Sequence, residues 1–167
     1  MTTKWTLDPS GHAVTFQHKT FWGLATVHGV FRTVHAEGVV ADDGTTADGT
    51  VTVDSASLDT KHRKRDTHLR SADFFDVERH PSFEFTADRV EPVAPESTEV
   101  QVQGTLRVRE VVKPLSFVAQ AERHGERVTL SATIPYDRAD FGMTWNRLGM
   151  MADRGELGVK LRFTQQV

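Results

Sequence analysis

Apolar and polar residues alternate with period two along most of this chain, the signature of strands that bury one face. Trp5 and Leu7 fall on one side near the amino terminus, followed by Val14, Phe16 and His18, while Thr6, Thr15 and Gln17 point the other way. Thr26 to Ala41 continues the pattern with Val27, Gly29, Phe31 and Thr33 on one parity, and Val51 and Val53 follow an Asp42-Asp43-Gly44 turn. Further strands are predicted over Ser82–Glu91, Thr98–Arg109, Lys113–Arg123, Glu126–Tyr136 and Glu156–Gln165, for a total of about eight.

Turn chemistry separates the strands. His124-Gly125 predicts a tight hairpin, because Gly adopts positive φ without steric cost. Glu91-Pro-Val-Ala-Pro-Glu-Ser97 is a loop, since two prolines do not fit a central strand. Long antiparallel strands on short loops point to a sandwich or a closed barrel, and closure removes exposed edges more completely.

Leu58 to Pro81 departs from the alternation and is too long for a structureless connection in a compact domain. A short helix is predicted over about Lys64 to Ser71, with Leu69, Phe74 and Phe75 anchoring it against the end of the strands, and Pro81 leads into the next strand.

Length and composition narrow the class. The chain has 167 residues, 38% hydrophobic and 26% charged, which fits one globular domain over residues 1–167 with a core that needs no staples. It has no Cys, so disulfides, thiolate metal sites and Cys nucleophiles are excluded. A formal net charge of −3 argues against a nucleic-acid-coating protein, although eight His residues would add positive charge in mildly acidic surroundings. No window approaches the roughly 18 apolar residues of a membrane-spanning helix. Met1 to Pro9 carries no basic start followed by an apolar stretch, so a cytoplasmic location is the expectation.

Candidate chemistry is sparse. The basic run Lys61-His62-Arg63-Lys64-Arg65 reads either as a solvated helix face or as an anion contact for a ligand head group, where the arginine fork suits phosphate oxygens. His12 and His18 share a parity but lie roughly 20 Å apart along an extended strand, too far to hold one ion. His62 and His68 have the same spacing, and no His-Glu-x-x-His is present, so neither a metal nor a cofactor is expected. There is no Gly-x-Ser-x-Gly elbow and no phosphate-cradling Gly loop. Asp42-Asp43 reads as a turn, and Asp137 and Asp140 flank Arg138, which would neutralise them.

The apolar side is richer. Ten Phe and three Trp lie mostly on strand parities. Phe16, Phe31, Phe83, Phe85, Leu106, Val108, Leu115, Phe117, Ile134, Leu161 and Phe163 are the candidate interior positions. An eight-stranded barrel either just fills with such side chains or holds one small ligand, so a solid core remains the competing reading.

Specific phrases then add what periodicity does not. Trp5-Thr-Leu-Asp-Pro9, Gly29-Val-Phe31, Arg65-Asp-Thr-His-Leu-Arg-Ser-Ala-Asp-Phe-Phe-Asp76, His80-Pro-Ser-Phe-Glu-Phe85, Gly104-Thr-Leu106, Lys113-Pro114 and Arg138-Ala-Asp-Phe-Gly142 closely resemble the YceI-like family, in the right order over almost the whole chain. The resemblance implies an all-β fold, an extended eight-stranded antiparallel lipocalin-like β-barrel with one short helix, often paired as a homodimer. It also implies binding of a long apolar small molecule, a polyisoprenoid, quinone-type or fatty-acyl chain, without catalysis as a general attribute. The interior positions above, together with Phe141, then become lumen residues, and Arg63, Arg65 and His68 the head-group contacts. Asp66 is expected to cap the helix, Phe74 and Phe75 to plug or gate the barrel, and Gly142 to shape a turn. Many relatives carry an export signal, which this chain lacks at its start. The family often has Gly after the Gly-x-Leu strand, where Arg109-Glu110-Val111 stands here.

The leading expectation is a noncatalytic carrier or store. Its rival is an enzyme that folds a polyketide or terpenoid substrate for cyclisation or isomerisation, using Tyr136, Asp137, Arg138 or His18. A third reading, an interaction domain with a solid core, predicts no cavity.

Overall fold

The computed structural model describes residues 2–42 and 46–166, so the Asp42-Asp43-Gly44 turn falls mainly outside the described residues. In chain order the elements are β1 (Thr2–Thr20), β2 (Ala25–Phe31), β3 (Val34–Ala41), β4 (Ala47–Asp54), β5 (Leu58–Asp59), α1 (Arg63–Arg70), β6 (Ser82–Pro92), β7 (Glu99–Val108), β8 (Val111–His124), β9 (Arg127–Asp137) and β10 (Arg154–Gln165). They form one antiparallel sheet in the order β10-β9-β8-β7-β6-β4-β3-β1-β2-β5, and β10 also pairs with β1. That last ladder, Trp5↔Gln165 through His18↔Gly155, closes an eight-stranded barrel of β1, β3, β4 and β6 to β10.

The two shortest contributions extend this ring. The first half of β1 pairs with β3, and from Val14 onward β1 pairs with β2 instead, which in turn carries the two-residue β5. The run from Thr26 to Ala41 is therefore two strands, broken at Arg32-Thr33, because β2 and β3 meet different halves of β1. Alternation alone carries no mark of that corner.

Burial follows the predicted parity. Val14, Phe16 and His18 are buried on β1, Val102, Leu106 and Val108 on β7, with exposed or half-buried residues between them. Gly125 turns the β8–β9 hairpin at φ 62°, and Gly142 ends a short 3-10 turn at φ 77°, both as expected. In the β7–β8 turn, Arg109 takes a left-handed φ of 57°. Its guanidinium donates to the Phe74 carbonyl at 3.2 Å, so the side chain that strains the hairpin also ties it to the barrel's closed end.

Helix α1 lies within one residue of its predicted span. His62 is its N-cap, with Nδ1 accepting from the Arg65 amide at 3.2 Å. Asp66 does not cap the helix. It lies one turn inside, buried, and accepts from the Thr60 amide at 3.0 Å and from the Thr60 hydroxyl, tying α1 to the chain leaving β5. Leu69 and Phe74 enter the core with Phe31, Leu58 and Met143.

Candidate ligand-binding site

The barrel has unlike ends. One carries α1, the β1–β2 and β7–β8 turns and the long β9–β10 connection; the other carries the β6–β7 and β8–β9 turns and the outer ends of β3 and β4. At the helix end the lumen is filled. The Phe31 ring lies 5.0 Å from Phe83, 5.4 Å from Phe16 and 5.7 Å from Phe75, edge-on to Phe75 and Phe83, while Phe75 stacks on Phe83 at 6.0 Å. These separations are those of packed aromatic pairs.

Above this floor the lumen is not filled by side chains. A cavity of about 500 Å³ runs from Val14, Val53, Phe83 and Ile134 up to the opposite end, where its lining includes Ala47, Pro92, Ser97, Ala121 and Arg123. That volume is within the range of about 300–1,000 Å³ typical of small-molecule sites. Phe85, Leu106, Leu115, Phe117, Leu161 and Phe163 line it together with Val100, Val102, Ala119 and Leu130. The competing reading of a solid core does not describe the upper half of the barrel, where the interior residues surround this cavity and Phe85 packs on Phe117 at 5.7 Å along its wall.

Small residues keep it open. The ring of Phe85 lies across Gly104, where any Cβ would collide with that ring and with the Thr86 carbonyl oxygen. Phe16 lies over Gly29 in the same way at the helix end. In each case glycine on one strand lets an aromatic ring on its neighbour lie flat against the wall.

Four of the expected lumen residues stand elsewhere. Phe16 and Phe31 form the floor, Val108 is buried below it, and Phe141 packs against the core from the β9–β10 connection. The reason is vertical position: parity places a side chain inside or outside but not at one height.

The basic groups are also displaced. Arg63, Arg65 and His68 sit at the helix end, and none lines the cavity. Arg65 donates to the Thr60 hydroxyl and carbonyl at 2.8 Å each, and Arg70 donates to the carbonyls of Ala56 and Leu58. His68 meets the Asp73 carboxylate at 2.8 Å and lies edge-on to Trp145 at 4.3 Å. Arg63 is exposed. Within the basic run, His62 and Arg65 tie the helix in place, while Lys61, Arg63 and Lys64 are exposed.

The cation at the other end was missed. Arg123 shares the parity of Leu115, Phe117, Ala119 and Ala121 on β8 and places its guanidinium 5.7 Å from the centre of the buried Trp5 ring at the cavity mouth. Extending the interior parity of Lys113–Arg123 to its last residue finds it. Three acidic residues, Glu37, Asp48 and Glu91, also border the cavity, where Glu37 pairs with Lys4 at 3.4 Å and Glu91 with Arg89 at 3.0 Å.

Tyr136, Arg138 and His18 do come together, at the helix end and outside the cavity lining. Arg138 is buried and donates to the carbonyls of Met143 and Trp145 at 2.7 Å and of Ala152 at 3.1 Å, which folds the β9–β10 connection around it. Burial pushes the Tyr136 phenol up to about 12 and the His18 imidazole below its ordinary value. Asp137 caps the 3-10 turn by accepting from the Ala139 amide at 3.0 Å. His12 stands apart from His18, with Nε2 3.4 Å from the Arg32 carbonyl, and among the described residues no three His, Asp or Glu side chains cluster as a metal site. No helix among them is long and apolar enough to cross a membrane.

Known proteins share this architecture. BcnA of Burkholderia cenocepacia superposes with a TM-score of 0.84 at 18% identity, over 93% of this chain and 98% of that one. A polyisoprenoid-binding domain from Saccharophagus degradans, implicated in plant cell wall breakdown, superposes with a TM-score of 0.77 at 14% identity, over 97% and 98%. The protein YceI of Salmonella arizonae is 29% identical over 151 residues, which cover 86% of this chain and 77% of that protein. Residues 5–163 match the YceI-like domain, and with a match over nearly its full length the chain belongs to the YceI-like family.

Proposed function

We propose that this protein binds one long apolar small molecule, an isoprenoid, quinone-type or acyl chain, in the upper lumen and carries or stores it without transforming it. The observation that carries the reading is the cavity of about 500 Å³ walled by Phe85, Val102, Leu115, Phe117, Leu130 and Phe163. Each methylene buried there contributes about 0.8 kcal/mol. Association itself costs an estimated 4–15 kcal/mol, so short chains bind weakly and long ones well. The similar domain from Saccharophagus degradans, described as polyisoprenoid-binding, supports the same class of ligand.

Polarity within the lumen sets the orientation. The chain lies on the aromatic floor, and an oxygen-bearing head group lies at the mouth beside Arg123, whose guanidinium already faces the Trp5 ring. Arg63, Arg65 and His68 take no part in this contact.

Native mass spectrometry of gently purified protein, followed by organic extraction and titration with prenyl alcohols of increasing length, tests the reading. A stoichiometric prenyl or acyl species, or affinity that rises with chain length, is expected. Protein that is empty and indifferent to prenyl and acyl chains of every length overturns it.

A further inference from the structure

The barrel wall has a seam. Strands β8 and β9 leave their shared hairpin paired from His124↔Arg127 to Gln120↔Ser131, and the ladder stops there, although β8 runs back to Val111 and β9 on to Asp137. On their other edges the same residues are paired without a break, β8 with β7 and β9 with β10. A shorter interruption lies where β1 passes from β3 to β2, with residues 7–13 in neither ladder, whereas along β8 no strand takes the place of β9 at all.

Two prolines border the seam. Pro114 lies opposite Thr105 in the continuous β7–β8 ladder, and Pro135 opposite Glu156 in the continuous β9–β10 ladder. Along a strand, successive N–H groups point to alternate neighbours. A proline inside an unbroken ladder therefore directs its missing N–H toward the other edge, which for both residues is the edge facing the seam. Each side of the gap has lost a donor that zipping would require.

The seam borders the cavity. Leu115, Phe117 and Ala119 on one side and Ala132 and Ile134 on the other line the lumen. Outside, Val118 and Thr133 border a groove over the same strands, and Val112 and Val118 are 58% and 45% exposed. A long chain lying in the lumen is thus flanked, between the Gln120–Ser131 pair and the floor, by two unjoined strand edges with apolar residues inside and the exposed Val112 and Val118 outside.

We propose that the β8–β9 seam is a lateral portal through which the ligand's hydrocarbon chain enters and leaves the lumen sideways. The inference rests on the lumen being the ligand site. A chain that swings out through the wall keeps its polar end beside Arg123 until the last step, and it need not slide its whole length past the rim.

Continuing the β8–β9 register sets Val118 opposite Thr133, and the chain has no other cysteine to interfere with a pair placed there. The test oxidises the V118C/T133C double variant and measures release of a nitrobenzoxadiazole-labelled geranylgeraniol into acceptor vesicles by stopped flow. Release at least tenfold slower than in the single-cysteine variants, and restored on reduction, is expected. The P114V/P135V double variant, which returns both donors, is expected to slow release without any cross-link. Release unchanged in the cross-linked protein, or unchanged in the folded proline variant if no cross-link forms, overturns the portal while leaving the binding site intact. Unmodified protein that does not take up the probe overturns the binding reading and the portal together.

Discussion

The hydroxyl of Tyr136 lies 2.9 Å from Nδ1 of His18, and the two rings stack at 5.8 Å, although 118 positions separate them in the chain. Nε2 of the same imidazole faces the Ala152 carbonyl, which only accepts, so Nε2 carries a hydrogen; in the neutral ring Nδ1 then accepts from the phenol, whose other neighbour is the Gln17 carbonyl at 3.5 Å. The cluster holds a neutral histidine. Burial is the largest reason its pKa is lowered, and the Arg138 charge works in the same direction.

A pH dependence follows from that lowering. Below the ordinary histidine value of 6.5 the unfolded chain takes a proton that the folded one resists. His18 therefore contributes full stability above pH 6.5 and loses it as the pH falls toward its depressed folded value. Urea unfolding at a series of pH values should show this decline, and His18→Gln should remove the His18-dependent part of it. Tyr136→Phe, which leaves Nδ1 without a donor, should cost about 1–3 kcal/mol at neutral pH.

At the mouth, Arg123→Ala should weaken binding of a prenyl diphosphate or a fatty acid several-fold more than that of the matching prenyl alcohol. Arg63→Ala, on the exposed side of α1, should alter neither. Isothermal titration of the three ligands separates the two positions.

Filling the lumen should abolish binding and spare the fold. Ala121 lines the cavity below Arg123 and is only half-buried. Ala121→Trp should lower affinity for a long prenyl alcohol at least tenfold, with a Tm within a few degrees of the parent protein.

The floor behaves differently. Phe31 is 1% exposed and touches three other phenylalanine rings, so Phe31→Ala should cost about 3–5 kcal/mol in chemical denaturation. Gly104→Val should also destabilise, by about 1–3 kcal/mol, because the Phe85 ring and the Thr86 carbonyl occupy the space its side chain needs.

In the helical segment, Asp66→Ala should cost about 1–3 kcal/mol by releasing the Thr60 amide and hydroxyl. Circular dichroism melts of D66A and of the exposed-site control K64A distinguish a structural tie from a general effect of charge.

The alternation of side chains was enough to determine an antiparallel all-β chain, because a strand's two faces are written residue by residue. It also marked which phenylalanines turn inward. The Arg65–Asp76 phrase, with its helix and paired aromatics, was legible as the piece that closes one end, and Gly125 as a hairpin turn.

Only the tertiary structure decided height and closure. Phe31 and Phe85 share an inward parity, yet one is floor and the other wall, since strand stagger sets their level in the barrel. Arg65 and Arg123 are both basic residues beside apolar ones. The first is consumed by Thr60, and the second is exposed at the lumen's end, beside the Trp5 ring and donating to the Gly125 carbonyl at 3.2 Å, because β8 runs past the start of β7 there. Pro114 belongs to a phrase shared with the family and Pro135 to none, and the two are 21 positions apart by number. The fold brings their strands side by side, and only then do two missing donors become one seam, because a ladder exists between strands and not within either of them.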